Sequence, residues 1–440
     1  MDSAFWSYLK EAVGEENTEK VRDALSGPAS VSVRLNPNKI SEPAQDALAR
    51  IFSVAPDPVS WSPYGFYLPE RPQFTLDPAL HAGCYYVQDS SAMYVGHAFR
   101  RSLRSMLLSR SVSPENPLRV LDLCAAPGGK TTDLAASLRA ECGDSFVLVA
   151  NEIMKQRATV LADNVGIWGD PSVVVTSADP GAFAELSGYF DIIVADVPCS
   201  GEGMIRKYPE ILDTYSITNI LSIAEVQKNL LDDAYKLLNE GGQLVYSTCT
   251  FAFEEDEDQV NNFLNKYKDM KLVRDYKKLS FLDGCEGQFM ALLKKDGTLV
   301  NKKYKSKKTV NNKIVTSFIK DNIEIDEYYL YSHDNNYYLS LMPMLDLDRG
   351  IVRAGIYLGE VKKDRFEPSY NLYRSNKLKF KYKYDLNDDE YNKFIKGESL
   401  QVNLSNHYYQ VTYKGFPLAY GKCSNNELKN KYPKGLRRVV

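Results

Sequence analysis

The chain has 440 residues, too many for one ordinary hydrophobic core, and its length suggests three domains. With 44% hydrophobic and 25% charged residues it has a globular composition, and no apolar run approaches the ~20 residues a membrane helix needs. A net charge of −3 gives no overall attraction to a polyanion, so any basic surface must be local. The first residues mix Lys10 and Lys20 with Glu11, Glu15 and Glu16 and lack the apolar core of a signal peptide, so a cytoplasmic location is expected. Seven cysteines, an odd number without a CxxC pair, argue against a disulfide framework and against a zinc site, and leave thiols available for chemistry.

Residues 1 to about 70 read as a small lobe: a helical opening, the alternating stretch Val31-Ser-Val-Arg-Leu35, and loops rich in proline around Pro56, Pro58 and Pro63. This lobe reads as an appendage to a larger domain. From Leu118 to Leu293, short apolar runs (Arg119–Leu123, Phe146–Ala150, Ser172–Val175, Asp191–Ala195 and Gln243–Tyr246) alternate with helical stretches. That alternation predicts buried parallel strands in a doubly wound α/β sheet, with ligands at the carboxyl ends of the strands.

Beyond Leu293 the basic run Lys302, Lys303, Lys305, Lys307 and Lys308 reads as a linker or a strip facing phosphates. Aromatic alternation then predicts hairpins, one from Tyr328 to Tyr338 across Asp334-Asn335-Asn336 and one from Gln401 to Tyr413 across Ser405-Asn406. More than half of the 30 tyrosines follow residue 320. Core packing is the expected fate of most, although tyrosines beside lysines also stack unpaired bases.

Within the α/β region, Leu121-Asp-Leu-Cys-Ala-Ala-Pro-Gly-Gly-Lys-Thr131 runs from a strand through a turn of small residues into a helix. Small residues let the backbone approach a ligand, and the helix start offers free N–H groups. Neither a P-loop nor a dinucleotide fingerprint fits: Gly129-Lys130-Thr131 supplies the P-loop ending, but its first glycine falls on Cys124, and Gly-x-Gly-x-x-Gly is absent. Glu152, at the end of the next strand, is placed to grip ribose hydroxyls, and Arg157 to balance it. Asp179 ends the third strand, where it is able either to accept from an adenine amino group or to cap a helix.

Two further segments, Asp196-Val-Pro-Cys-Ser-Gly-Glu-Gly203 and Tyr246-Ser-Thr-Cys-Thr250, each put a cysteine at a strand's carboxyl end. A chemistry that needs such residues is methylation of a pyrimidine carbon that is not itself nucleophilic. A thiolate adds to C6, C5 then takes the methyl group from a sulfonium, and a base removes the C5 proton so that the thiolate departs. Asp196 suits donation to the ring nitrogen N3. Spacing alone leaves Cys199 and Cys249 both open as the nucleophile.

At Asp122–Lys130, Asp196–Lys207 and Ser247–Phe251, in that order and spacing, the sequence resembles the Nop/Sun family of RNA cytosine-5 methyltransferases. Ser32–Asn36, Gly83–Met93 and Gly287–Leu292 extend the likeness, with Gln288 where many members carry Phe. The resemblance implies S-adenosylmethionine as cofactor, held by Cys124, Ala125, Ala126, Pro127, Gly128, Gly129, Lys130, Glu152, Arg157, Asp179 and Asp196. It also implies Cys249 as nucleophile, Cys199 as the group that assists release, and no metal. Val352–Val361, Gly415–Lys422 and Asn430–Arg437 resemble the tail of RsmF-type members, which act on small-subunit (16S) ribosomal RNA and end in a PUA-like RNA-binding module. The terminal Lys431, Lys434, Arg437 and Arg438 are then expected at phosphates.

The expected architecture is a Rossmann-like class I methyltransferase sheet at residues 81–295, with an N-terminal α+β RNA-binding lobe at 1–80, a basic linker at 296–325 and a β-rich region at 326–440 ending in the PUA-like module. The expected partner is ribosomal RNA, within or outside the 30S subunit. The same chemistry on transfer RNA is the alternative, and a non-catalytic RNA-binding assembly factor the more distant one.

Overall fold

The computed structural model describes residues 3–40, 42–55, 57–279, 284–302, 304–346, 350–375 and 377–437; Pro56, Lys303 and Arg438 lie outside the described residues. Its centre is an eight-stranded sheet made of β1 (Leu118–Asp122), β2 (Phe146–Asn151), β3 (Val173–Thr176), β4 (Phe190–Asp196), β5 (Leu238–Thr248), β6 (Met270–Lys278), β7 (Gln288–Lys295) and β8 (Ile351–Ala354). The order across the sheet is β6-β7-β5-β4-β1-β2-β3-β8, with β5-β4-β1-β2-β3 parallel and the outer three strands antiparallel to their neighbours.

The five apolar runs become the five parallel strands because both faces of the sheet are covered. In β4, Ile192 and Val194 enter one core with the helices α1 (Met93–Leu107), α2 (Gly129–Cys142) and α3 (Lys155–Trp168). Ile193 and Ala195 enter the opposite core with α4 (Ile217–Leu237). This layering directs the carboxyl ends of all five strands to one edge of the sheet, where Asp122, Asn151, Thr176, Asp196 and Thr248 stand.

The N-terminal lobe is more than an appendage. Its strand Val31–Leu35 pairs antiparallel with Gly65–Leu68 and Tyr85–Val87, and Arg34 on that strand is fully buried. The Arg34 guanidinium donates to Gln88 Oε1 at 2.7 Å, Gly129 O at 3.0 Å and Thr132 Oγ1 at 2.6 Å, and it stacks 4.7 Å over the Trp168 ring. One side chain of the lobe thus clamps the start of α2 and the end of α3. The opening helix contributes Phe5, Trp6 and Leu9 to a core shared with Ile205 and Phe251, residues that follow the two cysteine motifs.

The tail also reaches back into the sheet, since β8 adds an antiparallel edge to β3. The hairpin expected at Asp334 forms, pairing Tyr329–His333 with Asn336–Ser340. The hairpin expected from Gln401 to Tyr413 does not. Tyr408–Tyr413 pairs instead with Phe416–Ser424 across Lys414-Gly415, and Leu400–Gln401 pairs with Glu427–Asn430. Lys414 and Gly415 both adopt positive φ, the conformation of a two-residue turn whose twist matches paired strands, and so the closer turn prevails over Ser405-Asn406. Half of the tail's tyrosines are buried and none is exposed. Among the described lysines of the basic run, Lys302 donates to Ser187 O at 2.8 Å and Lys305 pairs with Asp346 at 2.8 Å, so these two are engaged by the fold. Arg437 likewise donates to Tyr432 O at 3.1 Å. No helix among the described residues is long and apolar enough to cross a membrane.

Loss of the Arg34 clamp removes three charged hydrogen bonds from a buried position. Arg34→Ala is expected to destabilise the protein by about 3 kcal/mol, read as a lower urea midpoint at unchanged slope; an unshifted midpoint contradicts the clamp.

Candidate active site

Two of the strand tips carry sulfur. β4 and β5 pair in parallel with Asp196 opposite Ser247, so chain leaving each strand at the same level brings Cys199 and Cys249 together. Their Sγ atoms lie 3.2 Å apart, and the Cys249 N–H points at Cys199 Sγ from 3.3 Å. The hydrogen bond to Cys249, reinforced by burial, pushes the Cys199 thiol well above its ordinary value, so Cys199 holds its proton beside Cys249. All seven cysteines are free.

Lys130 connects this pair to the small-residue turn. Its Nζ lies 2.7 Å from Asp196 Oδ2, while Asp196 Oδ1 accepts from Ser247 Oγ at 2.7 Å. Burial works against the lysine's charge, but the Asp196 carboxylate outweighs it and raises the pKa above the ordinary lysine value. The Cys249 thiol lies within electrostatic reach of this ammonium. Both Asp196 oxygens are thus engaged with the protein's own donors.

The turn from Cys124 to Gly129 is fixed by main chain and by side chains around it. Ala125 N–H donates to Asn151 O at 2.8 Å, Arg157 donates to Ala126 O at 3.1 Å, and Asn164 donates to Pro127 O at 2.7 Å. Gly128 has φ 110°, a conformation open to glycine, as the chain enters α2. Burial raises the Asp122 carboxyl to about 7, and its Oδ1 has no hydrogen-bond partner. Glu152 is buried at the tip of β2; it accepts from Met154 N–H at 3.0 Å and faces Arg157 at 3.5 Å. Asp179 is exposed and accepts from Gly181 N–H at 2.9 Å, the capping arrangement for the short helix Pro180–Leu186. The structure therefore gathers Cys124–Lys130, Glu152, Arg157, Asp196, Cys199 and Cys249 along one edge, with Asp179 further out on the surface side.

Beneath the cysteines lies a carboxyl network that sequence reasoning missed. Ser200 Oγ is 2.7 Å from Glu202 Oε2 and 2.9 Å from Thr250 Oγ1, and it also hydrogen-bonds Glu255; Thr250 hydrogen-bonds Glu202 in turn. Two hydroxyl protons cannot serve all these contacts, so the two carboxyl groups hold at least one proton. Burial pushes Glu202 up to about 7 and raises Glu255 as well. Ser200 and Thr250 are the immediate neighbours of Cys199 and Cys249, so this hydroxyl–carboxyl network ties the two sulfur-bearing loops together. Gly203 adds a second tie: its N–H donates to Cys249 O at 2.9 Å, and a Cβ there would stand 2.7 Å from that oxygen. Gln288, the departure from the family pattern, is buried with its amide nitrogen unpaired.

Family models match along the chain: 16S rRNA methyltransferase RsmB/F over residues 110–292, the N-terminal domain of 16S rRNA methyltransferase RsmF over 1–90, the RsmF rRNA methyltransferase first C-terminal domain over 318–374, and the methyltransferase RsmF PUA domain over 381–438. Ribosomal RNA small subunit methyltransferase F of Enterobacter sp. (strain 638) is 31% identical, with 94% of this chain and 91% of that protein covered. Its counterpart in Cronobacter sakazakii is 30% identical over 94% and 92%. Among solved structures, a methyltransferase homologue from Pyrococcus horikoshii superposes with a TM-score of 0.56 at 25% identity, covering 67% of this chain and 95% of that one. NSun6 from Pyrococcus horikoshii, solved with SFG, has a TM-score of 0.54 at 19% identity, covering 68% and 99%, and shares the fold.

Because the folded-state pKa of Glu202 lies above its ordinary value, its stabilising contribution is complete below about 4.5 and is lost as pH rises through about 7. Glu202→Gln removes this titration. Urea unfolding is expected to show the wild type losing up to about 3 kcal/mol more than the variant between pH 5 and 8; parallel stability curves contradict the raised Glu202 pKa.

Proposed function

The chain belongs to the family of ribosomal RNA small subunit methyltransferase F, and from that membership we propose that it methylates carbon 5 of a cytosine in small-subunit ribosomal RNA, through a covalent adduct at Cys249. Its sheet is that of class I S-adenosylmethionine-dependent methyltransferases, followed by a C-terminal PUA domain. The observation that carries the proposed chemistry is the pair of sulfurs 3.2 Å apart, joined through Asp196 and Lys130 to the small-residue turn.

The donor set at this edge suits S-adenosylmethionine. The buried Glu152 carboxylate matches ribose hydroxyls, the main chain from Cys124 to Gly129 permits close approach, and the unpartnered Asp122 Oδ1 leaves a buried acceptor beside the turn. When bound, this group supplies an electrophilic methyl on a sulfonium.

In the proposed reaction the Cys249 thiolate forms a bond to C6 of the cytosine, which makes C5 nucleophilic toward the methyl carbon. The C5 proton must then leave so that the C6–S bond breaks and Cys249 departs as thiolate. Cys199 is suited to that second half. The leading cause of its raised pKa is Cys249 itself, and once that sulfur is a neutral thioether that cause is lost while burial remains; Cys199 passes its proton to water, and the resulting thiolate takes the proton from C5. The Lys130–Asp196 pair keeps a cation near the thiolate, and Asp196 faces the base's ring edge after substrate displaces one of its present contacts. The substrate is ribosomal RNA in the cytoplasm in this reading, with the PUA domain supporting RNA as partner.

Cys249→Ala should abolish methyl transfer while leaving cofactor affinity within about twofold; retained activity refutes the assignment. Cys199→Ala should instead accumulate an enzyme–RNA species seen as a retarded band on a denaturing gel, and absence of the band removes its release role. Bisulfite sequencing of ribosomal and transfer RNA from cells with and without the gene tests the substrate. Loss of a protected cytosine in small-subunit RNA is expected, whereas a change confined to transfer RNA keeps the chemistry and overturns the substrate.

A further inference from the structure

The connector between the two C-terminal domains reads Lys377-Leu-Lys-Phe-Lys-Tyr-Lys383, with a lysine at every second residue and no acid among them. Leu378 and Phe380 turn inward and are buried, which leaves Lys377, Lys379, Lys381 and Lys383 exposed on the outward side of an extended segment. The segment is anchored, not loose. Lys379–Phe380 pairs with Ile323–Glu324, Lys381 N–H donates to Asn322 O at 3.0 Å, and Lys381 Nζ donates to Lys320 O at 2.7 Å.

Two grooves meet along it. One, of about 650 Å³, takes Lys320, Lys377, Lys379 and Lys381 on its walls and Ile319 and Tyr328 among its lining. The other, of about 510 Å³, continues from Lys320 and Lys381 to Lys422, Tyr382, His407 and Tyr408. There the Tyr382 and His407 rings stack with centroids 3.8 Å apart at 10°, and Lys422 Nζ stands 5.1 Å from the Tyr408 ring centre. Of the five lysines in this trough, only Lys377 has a carboxylate within ion-pair reach among the described residues, Asp144 at 3.4 Å. Glu324 and Asp326 also line the first groove and Asp321 the second, so lysines outnumber carboxylates five to three along a seam interleaved with partly exposed rings, in a protein of net charge −3.

We propose that this seam between the two C-terminal domains is a binding trough for single-stranded RNA, with the lysines at backbone phosphates and the Tyr382–His407 stack as a platform for an unpaired base. Ring platforms flanked by lysines match a flexible strand better than a rigid duplex, because unstacked bases are free to lie on them. The choice of RNA over another polyanion rests on the functional reading above. The terminal Arg437, engaged with Tyr432, is not part of the trough.

Fluorescence anisotropy of the full-length protein with a single-stranded oligouridylate, across a range of salt concentrations, tests this. Removing one lysine–phosphate pairing should lower the slope of log K against log salt by about 0.7, so Lys379→Gln/Lys381→Gln/Lys422→Gln should lower it by about 2 while cofactor affinity stays unchanged. Tyr382→Ala should weaken binding roughly five- to hundredfold without altering the slope. An unchanged slope in the triple variant overturns the trough. So does an equal fall in the control Lys302→Gln/Lys305→Gln, and so does tighter binding to duplex DNA than to the oligouridylate. If wild-type protein methylates small-subunit RNA and the triple-variant slope is unchanged, the trough alone fails. If it methylates none and the slope falls as expected, the catalytic reading fails and the trough stands.

Discussion

The register between β4 and β5 is the constraint on which the site depends. Parallel pairing places Asp196 level with Ser247, and the two segments that leave the sheet there are of nearly equal length up to their cysteines. A one-residue slip would turn every side chain on one strand to the opposite core and separate the sulfurs as well. The cores on both faces hold the register, and the hydrogen bond from Gly203 to Cys249 O and the contacts of Ser200 and Thr250 with Glu202 and Glu255 hold the loops above it. Chemistry at the sulfurs is thus set by packing that extends through the whole sheet.

The lobe and the tail both brace the sheet that carries this edge. The first helix packs on residues that follow both cysteine motifs, Arg34 clamps the start of α2, and the tail adds β8, whose Arg353 packs on Gly166 of α3, while the Arg374 main chain meets Gly169 at the end of α3. Arg374 also donates to His81 O at 2.9 Å, joining tail to lobe. This mutual bracing holds the trough of lysines in the C-terminal part in a fixed relation to the sheet.

The five parallel strands were legible because each is apolar on both faces, whereas β6, largely exposed, carries no such run. Asp122 was not singled out, but Glu152, Asp196, Cys199 and Cys249 could be picked out by their place at the strands' carboxyl ends. Arg34 could not, since an arginine on a short alternating strand looks like a surface residue until its distant partners Gly129 and Thr132 are in place. Glu202 and Glu255 were hidden for a similar reason: they are 53 residues apart, and only the fold reveals that both meet at the Ser200 hydroxyl. The failed hairpin at Ser405-Asn406 shows the limit of alternation as a signal. Tyr408–Tyr413 alternates equally well for either partner, and the tighter turn at Lys414-Gly415 decides. The lysines from 377 to 383 do not stand out because alternation of this kind also describes an ordinary edge strand, and the grooves on either side emerge from two separate domains.

The claim that most needs testing is that Cys249, and not Cys199, bonds to the base. Incubating the enzyme and S-adenosylmethionine with small-subunit RNA that carries 5-fluorocytosine should trap the adduct, because fluorine at C5 cannot be removed as the proton is. Digestion and peptide mass spectrometry then identify the modified residue. A nucleotide on the peptide containing Cys249 is the predicted result; a nucleotide on the Cys199 peptide, or on neither, contradicts the account.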